Sequence, residues 1–544
     1  MHIQAHKQAE GHVYEAEICL IGAGAAGSVM AHRLAELGKQ VLLIEAGSLK
    51  HHAGSQSLYA GESSDPQFHL PPDRDRTRGL GGTSSQWGGR CMPYDPIDFD
   101  ARAHIAHSGW PISRLELDPF FARAQQYAEC GVPEFDAAQS GLPGRLIEGF
   151  SSEDVCTESL ERWSPPVNFG TKLKPELIGS PNVTLVTGAT CTGLHVEDMR
   201  VTGADLRTIK GGKKQLVRAK RFVLCGGGLE VTRLLLNSAT GSQAAIGNHS
   251  GWLGRGYMCH VGGVISRIRF KDGVKVVFGY ETDNEGVFVR RRITLSPEAQ
   301  SREKLLNMYA LFDRPLLSDS SHDSAVLSLL YLVKGLFQRH ADKGVDLSSG
   351  RFAHYKRHVK NLIFGAPEVL TVLPKFGRDR FLKGRRMPSL LLSSTDNVMY
   401  LYFHSEQSIQ RDSRVELSDQ TDRFGQRQLR VAAKLAEEDV AAIERAHRVI
   451  AKALSDQGVG TLEFLQEDVA AAIRACKCTL GHHIGTTRMA GKPEEGVVDA
   501  NAQVFGVKNL YVASGSVLPT SSQAHPTLTI LALALRLCEH IAGL

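Results

Sequence analysis

A short apolar strand that runs into a glycine-rich turn constrains this 544-residue chain more than any other feature. Glu17–Ile21 leads into Gly22-Ala23-Gly24-Ala25-Ala26-Gly27, a GxGxxG pattern, and apolar residues then recur at helical spacing over Ser28–Leu37. A second buried strand, Val41–Ile44, follows and ends at Glu45. Strand, glycine turn, helix, strand and terminal carboxylate in this order predict a βαβ unit that binds a dinucleotide.

The glycine turn has the residues that a pyrophosphate requires. Gly22 permits a tight turn, Gly24 lets the phosphates approach the backbone, and Gly27 allows the helix and the strand to pack closely. The first helical turn offers free N–H groups and the positive end of the helix dipole, so Ala25 and Ala26 join the predicted contacts.

The acidic end of the second strand narrows the choice of dinucleotide. Glu45 lies 18 residues after Gly27, where a carboxylate can bind both ribose hydroxyls, and Ala46 follows it. A carboxylate there disfavours a 2′-phosphate and hence NADP. It leaves NAD and FAD as alternatives.

Composition and charge exclude several classes of protein. Hydrophobic residues make up 42% and charged residues 22% of the chain, as in ordinary globular proteins, which excludes disorder and collagen-like repeats. The formal charge of +5 is too small for this length to indicate nucleic-acid binding. The length alone allows three or four domains, or two large ones.

The sequence predicts a cytoplasmic protein with reduced thiols. The first 17 residues contain no apolar stretch typical of a signal peptide, and no run of 18 apolar residues occurs that could span a membrane. Ten cysteines are scattered along the chain, and Cys476-Lys477-Cys478 has the wrong spacing for a zinc knuckle or a thioredoxin-type pair. We assign no metal site.

Three further blocks of motif residues follow the first at wide spacing. They are Arg78–Arg90 (RGLGGTSSQWGGR), Arg221–Ser238, which contains three glycines at 226–228, and a C-terminal set formed by Gly481–Met489, Asn509–Ala513 and His525–Thr529. With the N-terminal fingerprint, their order and spacing resemble the glucose–methanol–choline (GMC) family of FAD-dependent oxidoreductases. Within that family the C-terminal block is most similar to pyranose 2-oxidase and the bacterial sugar and polyol dehydrogenases.

The resemblance implies an α/β fold in which a discontinuous, Rossmann-like FAD-binding domain is interleaved with a substrate domain that contains an antiparallel sheet and helices. We expect the FAD-binding domain to comprise residues 1–110, 180–265 and 476–544. The substrate domain would comprise residues 111–179 and 266–475. Residues 325–388 would form a basic helical insertion within it.

The resemblance also extends the predicted cofactor contacts. They include Gly81, Gly82, Thr83, Ser84, Gln86, Trp87, Gly88, Gly89, Cys191, Ser516, Pro526 and Thr527. Gln86 occupies the position at which some pyranose oxidases attach FAD covalently to a histidine, so we predict non-covalent FAD. Ser514 replaces an aspartate common in the family, which leaves Ser516 and the backbone for the pyrophosphate. Cys259 replaces another aspartate, and we assign no role to Cys259 and His260.

For catalysis the resemblance implies a histidine base above the flavin. Oxidation of an alcohol by hydride transfer requires removal of the hydroxyl proton, and histidine suits this because its pKa lies near neutrality. The family position, three residues before the Gly-Thr pair, is His482, and His525 is the second residue, which binds the substrate oxygen. We expect His483 to be a structural or pocket-wall neighbour. Pro526 would begin a final helix whose dipole favours the reduced flavin.

The middle of the chain predicts supporting structure. The fragments Tyr400–Gln407 and Ser413–Ser418 alternate as two strands of one sheet, with Gln407 either a solvated strand residue or a candidate for the substrate pocket. Glu437–Leu454 has the apolar spacing of a helix packed on that sheet.

The segment 325–388 is strongly basic, in contrast to the small net charge of the whole chain. From Val333 to Arg386 there are thirteen Lys or Arg and four Asp or Glu, a local charge of +9. Leu329, Leu332, Leu336 and Phe337 recur at helical spacing, and a second helical stretch carries His354, Lys356, Arg357, His358 and Lys360, with Phe352 and Tyr355 beside them. We interpret the segment as a solvated helical insertion; a docking surface for anionic lipid, for an anionic substrate or carrier, or for a protein partner are the alternatives.

The resemblance thus implies oxidation of a sugar, polyol or sugar-like hydroxyl to a carbonyl, with hydride transfer to flavin N5. The electron acceptor would be oxygen, a quinone or a redox protein. Two alternatives stay open: a GMC-type lyase that keeps FAD for structure, and a flavin subunit of a membrane-associated dehydrogenase complex.

Overall fold

A computed structural model describes residues 1–49, 52–239, 244–315, 317–337, 351–392, 397–479 and 481–544, without the side chains of 321, 334–337 and 351–353. The strands are β1 (His2–Gln4), β2 (Val13–Ile21), β3 (Val41–Glu45), β4 (Gly61–Ser63), β5 (Arg90–Cys91), β6 (Val155–Trp163), β7 (Val183–Thr187), β8 (Ala189–Glu197), β9 (Arg200–Thr208), β10 (Lys214–Leu224), β11 (Val261–Phe270), β12 (Glu281–Thr282), β13 (Phe288–Leu295), β14 (Met308–Asp313), β15 (Val398–Ser405), β16 (Arg414–Thr421), β17 (Arg427–Ala432), β18 (Gly460–Phe464), β19 (Lys477–Cys478) and β20 (Leu510–Val512).

The helices connect and cover these strands. They are α1 (Ala25–Glu36), α2 (Ala53–Gln56), α3 (Pro96–Phe99), α4 (Arg114–Ala128), α5 (Phe169–Gly179), α6 (Gly228–Leu236), α7 (Pro297–Arg302), α8 (Ala325–Phe337), α9 (Arg351–Phe364), α10 (Ala366–Gly377), α11 (Glu437–Asp456), α12 (Val469–Arg474) and α13 (Thr527–Ala542). In the described part of the chain, no helix combines the length and apolar character needed to cross a bilayer.

The first sheet is parallel at its centre and positions the dinucleotide motif. Its order is β1-β7-β3-β2-β10-β9-β8, with β20 also paired to β10. Neighbouring strands are parallel in the series β1-β7-β3-β2-β10, and so is the β10–β20 pair. Strands β8, β9 and β10 form an antiparallel meander. All five residues of β3 are buried, as expected for a strand covered on both faces. Helix α1 packs between α5 and α13 on this sheet.

The second sheet is antiparallel and has the order β18-β11-β15-β14-β13-β6-β5, with β12 and β19 paired at its sides. The fold class predicted from the sequence, a Rossmann-like α/β unit interleaved with an antiparallel sheet and helices, is therefore confirmed. The proposed domain limits cut some elements: β11 contains the limit at 265, and α5, assigned to the substrate domain, packs on α1 and β7.

One prediction about the middle of the chain is wrong. Tyr400–Gln407 and Ser413–Ser418 do contain strands, but β15 belongs to the second sheet and β16 to a separate three-stranded sheet of order β16-β17-β4. Sequence alternation predicts a strand and its buried face, but not its neighbours. The predicted helix over 437–454 is confirmed as α11, which buries Val440, Ile443, Ile450 and Leu454.

Candidate active site

The glycine turn between β2 and α1 has one position open to a ligand and two closed by packing. Gly22 adopts φ = 109°, and a Cβ there would lie 2.7 Å from the Cys225 oxygen. A Cβ on Gly27 would overlap the Gly22 oxygen. At Gly24 a Cβ would meet only the Cys225 oxygen, at 3.9 Å. Gly24 thus leaves room at the N-terminus of α1, where the motif predicts the pyrophosphate.

Glu45 lies at the end of β3, beside the same turn. Its carboxylate oxygens accept hydrogen bonds from the Ala23 N–H (2.9 Å) and the Gly47 N–H (2.6 Å). Burial raises the pKa of Glu45, and these N–H groups and Arg78 oppose the rise. The backbone therefore holds the carboxylate in place at the position predicted for the ribose.

A cavity of about 540 Å³ runs from this turn to His482 and His525. The predicted cofactor residues that line it are Gly22, Gly24, Ala25, Ala26, Glu45, Ala46, Gly82, Thr83, Ser84, Gln86, Trp87, Gly88, Gly89, Cys191, Pro526 and Thr527. Residues from the four sequence blocks thus meet around one space. A long cleft with phosphate-binding features at one end and histidines at the other fits FAD.

Three predicted cofactor residues lie behind the cavity wall. Gly27 packs on Gly22, and Gly81 donates its N–H to the Ala23 oxygen at 2.7 Å. Ser516 is fully buried and its hydroxyl bonds those of Thr487 and Ser514, both at 2.6 Å. Ser514, rather than Ser516, lines the cavity.

The cavity wall contains a cluster of arginines to which the sequence analysis assigned no role. Glu230 pairs with Arg76 (3.0 Å), with Arg78 and, at 3.7 Å, with Arg233. Burial favours a high pKa for Glu230, but the arginines lower the pKa to about 2. Arg233 also pairs with Asp422 at 2.8 Å, so three guanidinium groups face two carboxylates and this cluster keeps one net positive charge, which suits a phosphate.

At the other end of the cavity, histidines from separate segments form a chain of hydrogen bonds. His482 Nδ1 lies 2.8 Å from His260 Nδ1, and His482 Nε2 lies 3.2 Å from His525 Nδ1. His525 Nε2 lies 3.2 Å from the Tyr309 hydroxyl. The chain ends at the Ser521 carbonyl, 2.9 Å from His260 Nε2.

The carbonyl at the end of this chain determines every tautomer. A carbonyl oxygen only accepts, so neutral His260 carries its proton on Nε2 and presents a lone pair on Nδ1. His482 must then donate from Nδ1, which leaves its Nε2 to accept from His525 Nδ1–H. His525 Nε2 accepts from the Tyr309 hydroxyl. The Nε2 atoms of His482 and His525 are therefore the basic nitrogens.

A fourth histidine packs inside this group. The His404 ring stacks between those of His260 (centroids 4.4 Å apart) and His525 (4.7 Å), and its Nδ1 lies 2.8 Å from the Gln523 carbonyl. Its Nε2 is buried without a hydrogen-bond partner among the described residues.

The histidines are held neutral by their surroundings. Burial is the main cause that lowers the pKa of His482 and of His525 well below the usual value, and the Arg90 cation lowers the pKa of both further. Arg90 pairs with the buried Glu161 at 2.9 Å and lies over the Tyr309 ring at 5.4 Å. A neutral imidazole is the form that can accept a proton.

Nitrogen atoms of His260, His404 and His482 lie within 4.8 Å of one another, a spacing at which a metal ion could be bound. The rings do not face a common point, because those of His260 and His404 are stacked with planes only 21° apart. The direct hydrogen bond between His260 and His482 also occupies two of the nitrogens. This geometry favours proton sharing over metal binding.

The structure also locates three other features discussed in the sequence analysis, namely His483, Gln407 and the cysteines. His483 lines the cavity and lies 3.4 Å from Asp75. Gln407 is buried and its Oε1 accepts from the Cys259 N–H at 2.8 Å, so the predicted role as a solvated strand residue is wrong; it does not line this cavity, and its role in a substrate pocket stays a prediction. Reduced thiols were also wrongly predicted at one pair, because Cys259 and Cys478 form a disulfide where β11 meets β19.

Sequence reasoning missed His260, His404, Tyr309 and Arg90. His260 ends the Gly254–His260 stretch, Arg90 ends the second block, and His404 lies in the Tyr400–Gln407 fragment, yet none has a local pattern that marks it as functional. Each comes from a different strand or loop of the second sheet. Their convergence depends on strand pairing, which local sequence does not encode.

The fold and site define a dinucleotide-binding enzyme whose cavity ends at a group of hydrogen-bonded histidines. Residues 410–534 match the family model described as GMC oxidoreductase, and residues 20–54 match one described as an NAD(P)-binding Rossmann-like domain. Paromamine 6′-oxidase of Streptomyces fradiae is 24% identical, with 97% of this chain and 91% of that protein aligned. 2-Methyl-1,2-propanediol dehydrogenase of Mycolicibacterium austroafricanum is 22% identical, with 97% of this chain and 95% of that protein aligned.

Solved structures show the same fold. Pyridoxine 4-oxidase from Mesorbium loti superimposes with a TM-score of 0.55 at 17% identity, over 96% of this chain and 99% of that one. Residues 410–534 therefore form a GMC oxidoreductase C-terminal domain, as the C-terminal motif block indicated, and the cofactor of the chain is FAD.

Proposed function

We propose that this protein oxidises a hydroxyl group of a sugar, polyol or sugar-like molecule to a carbonyl. The observation that carries the proposal is the basic His482 Nε2, with the His525 Nδ1–H 3.2 Å from it, at the far end of the dinucleotide cavity. Full-length relatives named as a paromamine oxidase and a propanediol dehydrogenase support a hydroxyl-bearing donor.

In this proposal His482 acts as the base. FAD, when bound, supplies the acceptor for the hydride. His482 Nε2 takes the hydroxyl proton while its Nδ1–H stays bonded to His260, which stabilises the imidazolium that forms. The substrate oxygen would replace His482 Nε2 as acceptor from His525 Nδ1–H, and His525 Nε2 would keep its bond from the Tyr309 hydroxyl. Arg90 favours negative charge on that oxygen and keeps the histidines neutral before reaction.

The test is anaerobic bleaching of the flavin. We expect the yellow protein to lose its absorbance near 450 nm when mixed with some member of a panel of sugars, polyols, glycosides and aromatic alcohols. Re-oxidation by air, by a quinone or only by a redox protein then identifies the electron acceptor. Turnover of a donor with the flavin oxidised throughout would instead indicate a lyase and contradict the proposal.

We further propose that His260 is a positioning residue that fixes the tautomer of His482. His260→Leu removes the acceptor for His482 Nδ1–H, so we expect flavin reduction to slow by about tenfold to a hundredfold. His260→Gln offers a carboxamide oxygen to the same N–H and should recover much of the rate. Stopped-flow reduction of the two variants at equal FAD content makes the comparison. Equal rates in His260→Leu and wild type would refute this role.

A further inference from the structure

The basic segment carries an unusual share of the exposed apolar surface. In the described part of the chain thirteen large hydrophobic residues are exposed, and seven of them lie in this segment: Val333, Val359, Ile363, Phe364, Leu370, Phe381 and Leu382. Four of these, Phe364, Leu370, Phe381 and Leu382, are between 74% and 81% exposed. The interpretation as a charged, solvated insertion does not explain such side chains, since large exposed patches mark interaction sites.

Helix α9 separates two kinds of surface. Its inner face carries His354 and His358, which are buried against α8: His354 Nε2 lies 3.1 Å from the Tyr331 hydroxyl, and His358 Nδ1 lies 3.0 Å from the Ser328 hydroxyl. The exposed residues Lys356, Val359, Lys360, Ile363 and Phe364 follow the spacing of a single helical face. The outer face of α9 is thus both apolar and cationic.

Helix α10 continues this surface after Gly365, with no buried residue of its own. Exposed residues recur at Leu370, Pro374, Arg378 and Phe381, at spacings of four, four and three through the π-helical turn Arg378–Leu382. We name the exposed outer sides of α9, α10 and this turn the apolar-basic surface.

The two carboxylates of this region that the structure describes turn away from the apolar-basic surface. Glu368 accepts hydrogen bonds from the Ser324 hydroxyl and the Ala325 N–H, both at 2.7 Å, at the start of α8. Asp379 is buried and pairs with Arg378 and Lys383. Among the described residues no carboxylate pairs with Lys356, Arg357, Lys360, Lys375 or Arg386. Within the described residues, the outer charge of this surface is therefore positive.

We propose that the apolar-basic surface docks on an anionic lipid bilayer. Phe, Leu and Ile side chains would enter the headgroup region while the lysines and arginines contact lipid phosphates, as in interfacial helices. The alternation of lysine with large apolar residues favours a bilayer over a protein partner, because protein interfaces are depleted of lysine. Lys360, whose ammonium lies 5.9 Å from the Phe364 ring, is an example of this pairing.

The experiment is co-sedimentation of the full-length, FAD-loaded protein with vesicles. We expect binding to vesicles of phosphatidylcholine with 30% phosphatidylglycerol, and at least about tenfold weaker binding to pure phosphatidylcholine. Phe364→Ser, Leu370→Ser, Phe381→Ser and Leu382→Ser combined should lower binding at least tenfold, since all four side chains are exposed and their loss leaves the core intact. Lys356→Gln, Lys360→Gln and Lys375→Gln combined should lower it similarly.

Leu115→Ser is the matched control, because Leu115 is 79% exposed on α4, outside the segment. Its binding should equal that of wild type, and thermal unfolding should show that every variant is folded. Failure of the wild type to bind anionic vesicles would overturn the proposal. So would a dimer in light scattering that the apolar variant abolishes while vesicle binding stays unchanged, which would assign the surface to a second copy. Neither result depends on the bleaching test.

Discussion

Replacing His482 with alanine is expected to slow anaerobic flavin reduction by about a hundredfold or more, the usual contribution of a general base. Its Nε2 is the nitrogen left basic by the tautomers fixed from the Ser521 carbonyl. FAD content should be unchanged, because the substitution is remote from the glycine turn. Stopped-flow absorbance near 450 nm, with a donor found in the bleaching screen, measures the rate.

His483→Ala is the matched control for this experiment. The two histidines are adjacent in sequence, but the His483 side chain is directed to Asp75 rather than to the hydrogen-bonded chain. We expect less than about a tenfold decrease for His483→Ala. A larger loss at His483 than at His482 would transfer the role of base to His483.

The pH dependence of the wild-type reaction tests the same base. Burial and Arg90 lower the pKa of His482, so the neutral, active form persists when the pH falls through the ordinary histidine value of about 6.5. The reduction rate should therefore stay constant from pH 7.5 to 6.5 and fall only under more acidic conditions. An acid limb centred above pH 6.5 would contradict this assignment.

Replacing Gly24 with valine is expected to abolish FAD binding without unfolding the chain. Gly24 has φ = −70°, which any residue can adopt, and its Cβ position is open except for the Cys225 oxygen at 3.9 Å. The valine side chain would fill the space at the N-terminus of α1, so we expect affinity for FAD to fall at least about a hundredfold. Titration of FAD into apo-protein, followed by flavin fluorescence, gives the affinity.

Gly27→Val is the comparison variant, and we expect it to destabilise the fold rather than block FAD binding by a folded protein. Its Cβ would overlap the Gly22 oxygen, which we expect to destabilise the fold by about 3 kcal/mol. The predicted non-covalent attachment, which rests on Gln86 in place of a histidine, would allow apo-protein to be obtained by washing at high salt and low pH. Undiminished FAD binding by a folded Gly24→Val protein would place the pyrophosphate elsewhere.

Local sequence was sufficient for the dinucleotide half of the site. The strand before Gly22, helix α1 and β3 are each encoded by short-range apolar periodicity, and the turn requires positive φ at Gly22. The same reasoning identified His482 and His525 through the family motifs. It failed for Gln407, because burial of that amide depends on contacts with Cys259 and Lys434 from distant segments.

The sequence by itself determined the α/β class, the glycine turn, the resemblance to the GMC family and the basic segment, because each rests on motifs, periodicity, backbone conformation or charge that can be read along the chain. Only the tertiary structure placed His260, His404, Tyr309 and Arg90 around the two motif histidines. It also showed that His354 and His358 face inward while Phe364 and Phe381 face solvent. Strand pairing between remote segments positions the four site residues, and helix packing sets which side chains of the basic segment are buried. Local sequence patterns do not encode either kind of contact.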